Sequence, residues 1–176
     1  GSELDLAVDV ALGRKGAVDQ LDTHPDVHKF GDEMRVFSQS ELDQLRSLQA
    51  LVVQYVQQIV PARPLCLAVF GPPGSGKSYS VKQIRKVAAG KVAGSETQLP
   101  MTTVNLTQIS DPTSISAVLA RVAGEQDDKT VPIIFFDEFD TARDGSPLGW
   151  LSWFLAPMHD GEFIHSDAGC IINQRE

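Results

Sequence analysis

The chain has few cysteines, few aromatic residues, fewer basic than acidic residues, and no long apolar run. Cys66 and Cys170 are the two cysteines in 176 residues, too few to staple a secreted domain. Both fall in apolar runs and read as reduced core thiols, which points to the cytoplasm. No apolar run reaches the roughly 18 residues a membrane span needs, so no membrane partner is expected. Fifteen Lys and Arg stand against 23 Asp and Glu, a net charge of −8. Proteins that hold a phosphate backbone carry basic faces, so nucleic acid is not an expected partner. Aromatics are only 7%, yet hydrophobic residues reach 42%, enough for one domain with a real core at this length. Gly1 and Ser2 read as a cloning remnant, and no targeting segment is visible.

The first 37 residues show no clean period. "LDLAVDVAL" reads as a short helix, and "DTHPDVHKFGDE" has turn chemistry. His24 and His28 flank Asp26, but Pro25 breaks helical spacing between them, so no metal site is expected there. A clear helix follows. Ser38 and Glu41 form an S-x-x-E start, and Leu42, Leu45, Leu48, Val52, Tyr55, Val56 and Ile59 make one apolar stripe, ended by Pro61 and Pro64. This gives residues 1–60 as a linker and amphipathic helix, and 61–176 as the main domain.

Beyond residue 60 strands and helices alternate. "PLCLAVF" over residues 64–70 reads as a strand buried on both faces, then 78–89 as a helix and 101–106 as a strand. Asp111, Pro112 and Thr113 open a helix to about Val122, and residues 131–140 form a third strand running into acids. A helix is expected over 147–158 with Pro147 at its start, carrying Trp150, Trp153 and Phe154 in core roles, and a fourth strand over 169–173. Such alternation predicts an α/β domain with a mostly parallel sheet between helical layers.

Residues 71–78, "GPPGSGKS", match G-x-x-x-x-G-K-[ST] in full, after a strand-like run and before a helix. Gly71, Gly74 and Gly76 let the backbone turn its N–H groups toward a phosphate chain, and Pro72, Pro73 and Ser75 complete the loop of the binding set. Lys77 adds a cation, Ser78 a hydroxyl for Mg²⁺, and Tyr79 follows them in the binding set. In "IIFFDEFD", Asp137 ends an apolar strand where it can hold Mg²⁺, and Glu138 beside it can polarise a water against the γ-phosphate. Asp140 and Asp144 read as solvated or capping residues.

"GPPGSGKS" together with "IIFFDEFD" resembles the AAA+ ATPases over about residues 65–173. The resemblance implies a P-loop NTPase three-layer sandwich, with the fourth strand lying between the first and third. It implies ATP or ADP and Mg²⁺ as ligands, with Lys77 and Ser78 on phosphate and metal, Asp137 on metal and Glu138 as catalytic base. Asn173 would be the polar residue sensing the γ-phosphate, and residues 24–45 would meet adenine. A homo-oligomer and a protein partner are also implied. A complete module of that family continues into a fifth strand and a helical lid, which the sequence to Glu176 does not include. Arg143 and Arg175 are the candidates for the arginine finger, with solvated surface as the plainer reading of each. "TQISDPTS" carries no aromatic, against a polypeptide-threading pore loop.

Three functions remain open from the residues: an ATP-hydrolysing motor or switch, a nucleotide-gated scaffold without turnover, and a small-molecule kinase. No Arg-rich lid supports the kinase, and no Asn-Lys-x-Asp motif supports a GTPase.

Overall fold

A computed structural model describes residues 16–58, 61, 63–92, 97–127, 129–165 and 168–171. The "LDLAVDVAL" run, Ile59, Asn173 and Arg175 lie outside these residues. In order, the elements are α1 (Ala17–Thr23), β1 (His28–Phe30), β2 (Met34–Val36), α2 (Gln39–Val56), α3 (Lys77–Lys91), β3 (Met101–Asn105), α4 (Thr113–Gly124), β4 (Ile133–Asp137), α5 (Leu151–His159), β5 (Glu162–His165) and β6 (Ala168–Ile171).

The N-terminal part holds more than the expected helix. β1 and β2 form an antiparallel hairpin, with Phe30 opposite Met34 and His28 opposite Val36. The hairpin and α2 bury Phe30, Met34, Val36, Leu42 and Leu45 against Ile84 of α3. The stripe expected on α2 thus faces the hairpin and α3. Ser38 stands at its N-cap in extended geometry, but its side chain makes no cap hydrogen bond, so the expected capping box is not formed. Asp22 at the end of α1 pairs with Lys29 at 2.6 Å and with Arg35, which ties α1 to the hairpin. Those two cations hold the Asp22 carboxyl well below the usual carboxylate range.

β3 and β4 pair in parallel, Met101 opposite Ile133 through to Asn105 opposite Asp137. α4 crosses between them and buries Ile115 and Leu119 with Val104, Leu106, Trp150, Phe154 and Phe163. The strand expected over 131–140 is therefore shorter, and it is a parallel strand as expected.

Four expectations need correction. Residues 64–70 form no strand: they pair with no ladder, and Leu67 is 42% and Phe70 92% exposed. Their composition suits a strand, but a strand exists only through hydrogen-bonded neighbours. Cys66 lies in this run and is exposed, not a core thiol. The fourth strand is present as β6, but it pairs antiparallel with β5, a strand the sequence did not suggest. The described residues thus hold three two-stranded sheets, one of them the parallel pair. Lastly, α5 begins at Leu151, not at Pro147. Leu148 has φ 57, a left-handed value that no helix residue adopts, so Pro147 sits in the preceding turn.

Candidate functional site

The glycine loop and the acid pair meet at one place. Ser78 donates its hydroxyl to Asp137 Oδ2 at 3.2 Å, across 59 residues of sequence. The same carboxylate accepts the Glu138 N–H on Oδ1 at 3.1 Å. Asp137 ends β4, and α3 begins at Lys77, so a strand C-terminus and a helix N-terminus converge. That is where ligands bind in open α/β sheets.

The loop needs glycine where its backbone turns left-handed. Gly74 and Gly76 have φ of 77° and 80°, values costly for any residue with a Cβ, although space around them is open. At Gly71 an added Cβ would lie 2.6 Å from Ser75 Oγ, a contact that rotation of the small hydroxyl relieves. Lys77 folds back over this loop and donates to the Gly71 carbonyl at 2.9 Å and the Pro72 carbonyl at 3.2 Å. An ammonium has three donors, so one more remains to meet an anion.

The charge pattern of α3 fits an anion as well. Helix N-termini carry about half a positive charge and favour acids. The first turn of α3 has no acid and opens on Lys77. Two positive features at one point repel each other unless a negative group joins them. A polyphosphate is a group of that kind, and the N–H donors of a helix's first turn are free to meet one. The Ser78 hydroxyl and the Asp137 carboxylate are oxygen donors of the kind Mg²⁺ takes, and they lie together here.

Glu138 has φ 57 and is exposed. Strained backbone of this kind clusters at functional positions. Phe136 and Phe139, on either side of the acid pair, pack on Phe154 with ring centroids 4.6 Å and 5.1 Å away. The two acids are thus presented from a rigid aromatic base.

The other candidates divide. Asp140 and Asp144 are exposed as expected. Trp150 and Phe154 are buried, while Trp153 is 50% exposed. Arg143 is not solvated surface: its side chain is 17% exposed and its guanidinium lies 4.4 Å from the centroid of Trp150. Tyr79 is 45% exposed on α3. The segment expected near adenine, residues 24–45, holds the hairpin and the start of α2. It rests on α3 through Glu33, which accepts from Lys86 at 2.5 Å and from Gln83 at 3.1 Å. Sequence reasoning missed Asn105, the register partner of Asp137. Its Oδ1 accepts from the Thr107 N–H at 2.9 Å and hydroxyl at 2.6 Å. The signal was a polar residue ending the neighbouring strand.

Comparison with protein-family models matches residues 67–147 to the ATPase family associated with various cellular activities (AAA). Over these residues the chain is similar to that family. The match takes in the glycine loop, β3, α4, β4 and both acids. The match supports nucleotide-binding ATPase activity at the general level, and the family generally binds ATP or ADP with Mg²⁺ and often oligomerises. No curated protein and no solved structure matches the chain. No helix among the described residues is long and apolar enough to cross a membrane.

Proposed function

We propose that this protein binds ATP with Mg²⁺ and hydrolyses it to ADP and phosphate, and that turnover drives remodelling or switching of a protein partner within a homo-oligomer in the cytoplasm. The observation that carries this is the contact between Ser78 and Asp137, which brings the glycine loop and the Asp-Glu pair to one point.

The loop of residues 71–76 wraps the β- and γ-phosphates, with N–H donors from its non-proline residues and Pro72 and Pro73 stiffening the turn. Lys77 moves its free donor onto them, and Tyr79 borders the nucleotide. Ser78 and Asp137 would hold Mg²⁺, which would neutralise charge on the phosphate oxygens. Glu138 accepts the proton of the water whose oxygen attacks the γ-phosphorus as the bond to the β-phosphate oxygen breaks. Asn173 is the proposed γ-phosphate sensor, and residues 24–45 flank the base.

The test compares ATP turnover and ATP affinity of the parent with those of Glu138→Gln, recording oligomer size with and without ATP and Mg²⁺. The expected result is unchanged binding with turnover lost in the variant. Turnover equal in both proteins removes Glu138 from its role. Binding without turnover in either protein replaces hydrolysis with the scaffold reading.

A further inference from the structure

The loop from Glu138 to Trp150 is tied down at both ends. At the start, Phe136 and Phe139 seat on Phe154, and the Thr141 N–H donates to the Glu138 carbonyl at 3.1 Å. Further along, Arg143 and Ser146 exchange two backbone hydrogen bonds at 3.0 and 2.9 Å. Asp144 and Gly145 close that pair with φ of 51° and 75°, the left-handed pattern of a tight Asp-Gly turn. Gly149 then passes so close that an added Cβ would lie 2.7 Å from the Arg143 carbonyl oxygen.

The side chain of Arg143 completes the tie. Its guanidinium lies 4.4 Å from the centroid of Trp150 and 5.6 Å from that of Trp153, and its Nε donates to Asp144 Oδ2 at 3.2 Å. Trp150 is 3% exposed in the core that holds β3, α4 and Phe154. Cation–ring contacts of this sort strengthen as they lose solvent. Asp111 accepts from the Thr113 hydroxyl and N–H, which lower its pKa most, and the charge of Arg143 adds to that lowering. An arginine committed to its own core in this way is not offered to a neighbouring subunit.

We propose that Arg143 is a positioning residue that acts within its own subunit: stacked on Trp150, it pins the loop that begins at Glu138 and holds that carboxylate against the attacking water. This rests on the reading of Glu138 as the base. A misplacement of about 1 Å at a reacting group costs about 100-fold in rate.

The experiment uses the full chain carrying Arg143→Met, which keeps an apolar stem, and Arg143→Lys, which keeps the charge but loses the planar stack. The expected result is a drop in kcat of about 100-fold in Arg143→Met with ATP affinity within about twofold of the parent, and incomplete rescue in Arg143→Lys. Mixing Arg143→Met with Lys77→Ala subunits should restore nothing. Restored turnover in the mixture shows that Arg143 serves the neighbour's site and overturns the proposal. So does unchanged kcat, or a loss of affinity and thermal stability that accounts for the whole defect. If the parent turns over no ATP, the hydrolysis reading fails by itself, and amide exchange then decides on Arg143. Exchange over residues 138–146 at least about tenfold faster in Arg143→Met upholds the pin, and unchanged exchange overturns it.

Discussion

Phe154→Ala should be among the most damaging single changes in the chain, and it should reach the site from below. The ring is 2% exposed. It meets Phe136 edge-on, at 74° between planes, and Phe139 at 56°. Truncating a buried Phe to Ala costs about 3–5 kcal/mol, of which each aromatic pair accounts for about 1 kcal/mol. With two such pairs we expect about 4 kcal/mol, near half of the stability of an ordinary domain. At a urea slope of about 2 kcal/mol/M, the unfolding midpoint falls by about 2 M. Phe154→Leu fills most of the space without the ring contacts and should cost about 1.5 kcal/mol. Equilibrium urea unfolding, followed by tryptophan emission, measures both. A midpoint shift below about 0.5 M for Phe154→Ala would refute the reasoning, because it would mean that β4 and α5 do not lean on this ring. Phe136 and Phe139 bracket the acid pair, so turnover should fall in Phe154→Ala well before nucleotide affinity does.

Other expectations are shorter to state. Lys77→Ala should abolish ATP binding in a calorimetric titration, and retained micromolar affinity would count against the loop assignment. Gly31→Ala combines a φ of 63° with a Cβ 2.7 Å from Val87 Cγ2, whereas Gly16→Ala meets only a φ of 81° in open space. Gly16→Ala should cost about 1–2 kcal/mol, and Gly31→Ala about 1–3 kcal/mol more, with equal losses in urea unfolding refuting the contact between hairpin and phosphate-loop helix. Asp22 is held ionised by hydrogen bonds first from Arg35 and then from Lys29, so its folded pKa lies below its unfolded one. Its stabilisation is therefore full above the unfolded pKa of about 3.9 and fades as pH falls below it toward the folded value. The stability gap between the parent and Asp22→Asn should hold from pH 7 to 5 and close below about pH 4. A gap independent of pH would remove the ion pairs as its cause.

Local patterns were legible and long-range pairings were not. The stripe from Leu42 to Val56 named α2 because helical period is written in adjacent residues. The glycine loop was legible because each residue type there meets a local demand, such as the φ of Gly74 and Gly76. β4 and its acids stood out as an apolar run with an abrupt polar end. The hairpin at 28–36 did not, because two strands of three residues carry almost no period, and packing on Ile84 and Val87 holds them in place. Residues 64–70 show the reverse error: the right composition for a strand, without a ladder to join. β5 went unseen because its partner β6 was assigned to a parallel neighbour. Arg143 was misjudged because exposure is a property of the fold, and the two tryptophans that cover it lie seven and ten residues later.

The uncovered apolar side chains have a practical consequence. Leu67 and Phe70 stand out from their run, and Leu151, Leu155 and Met158, 41–59% exposed, line one flank of α5. Adhesive patches of this kind mark contact sites or aggregation liabilities. At pH 7 the net charge of −8 opposes non-specific clumping of copies. Acidification toward the pI near 4.9 discharges the surface while leaving the patches in place. Colloidal stability should therefore collapse in mildly acidic buffer before the fold does, and high salt at neutral pH should bring on the same clouding by screening. Purification and storage belong at pH 8 or so and low ionic strength, where charge still outweighs stickiness.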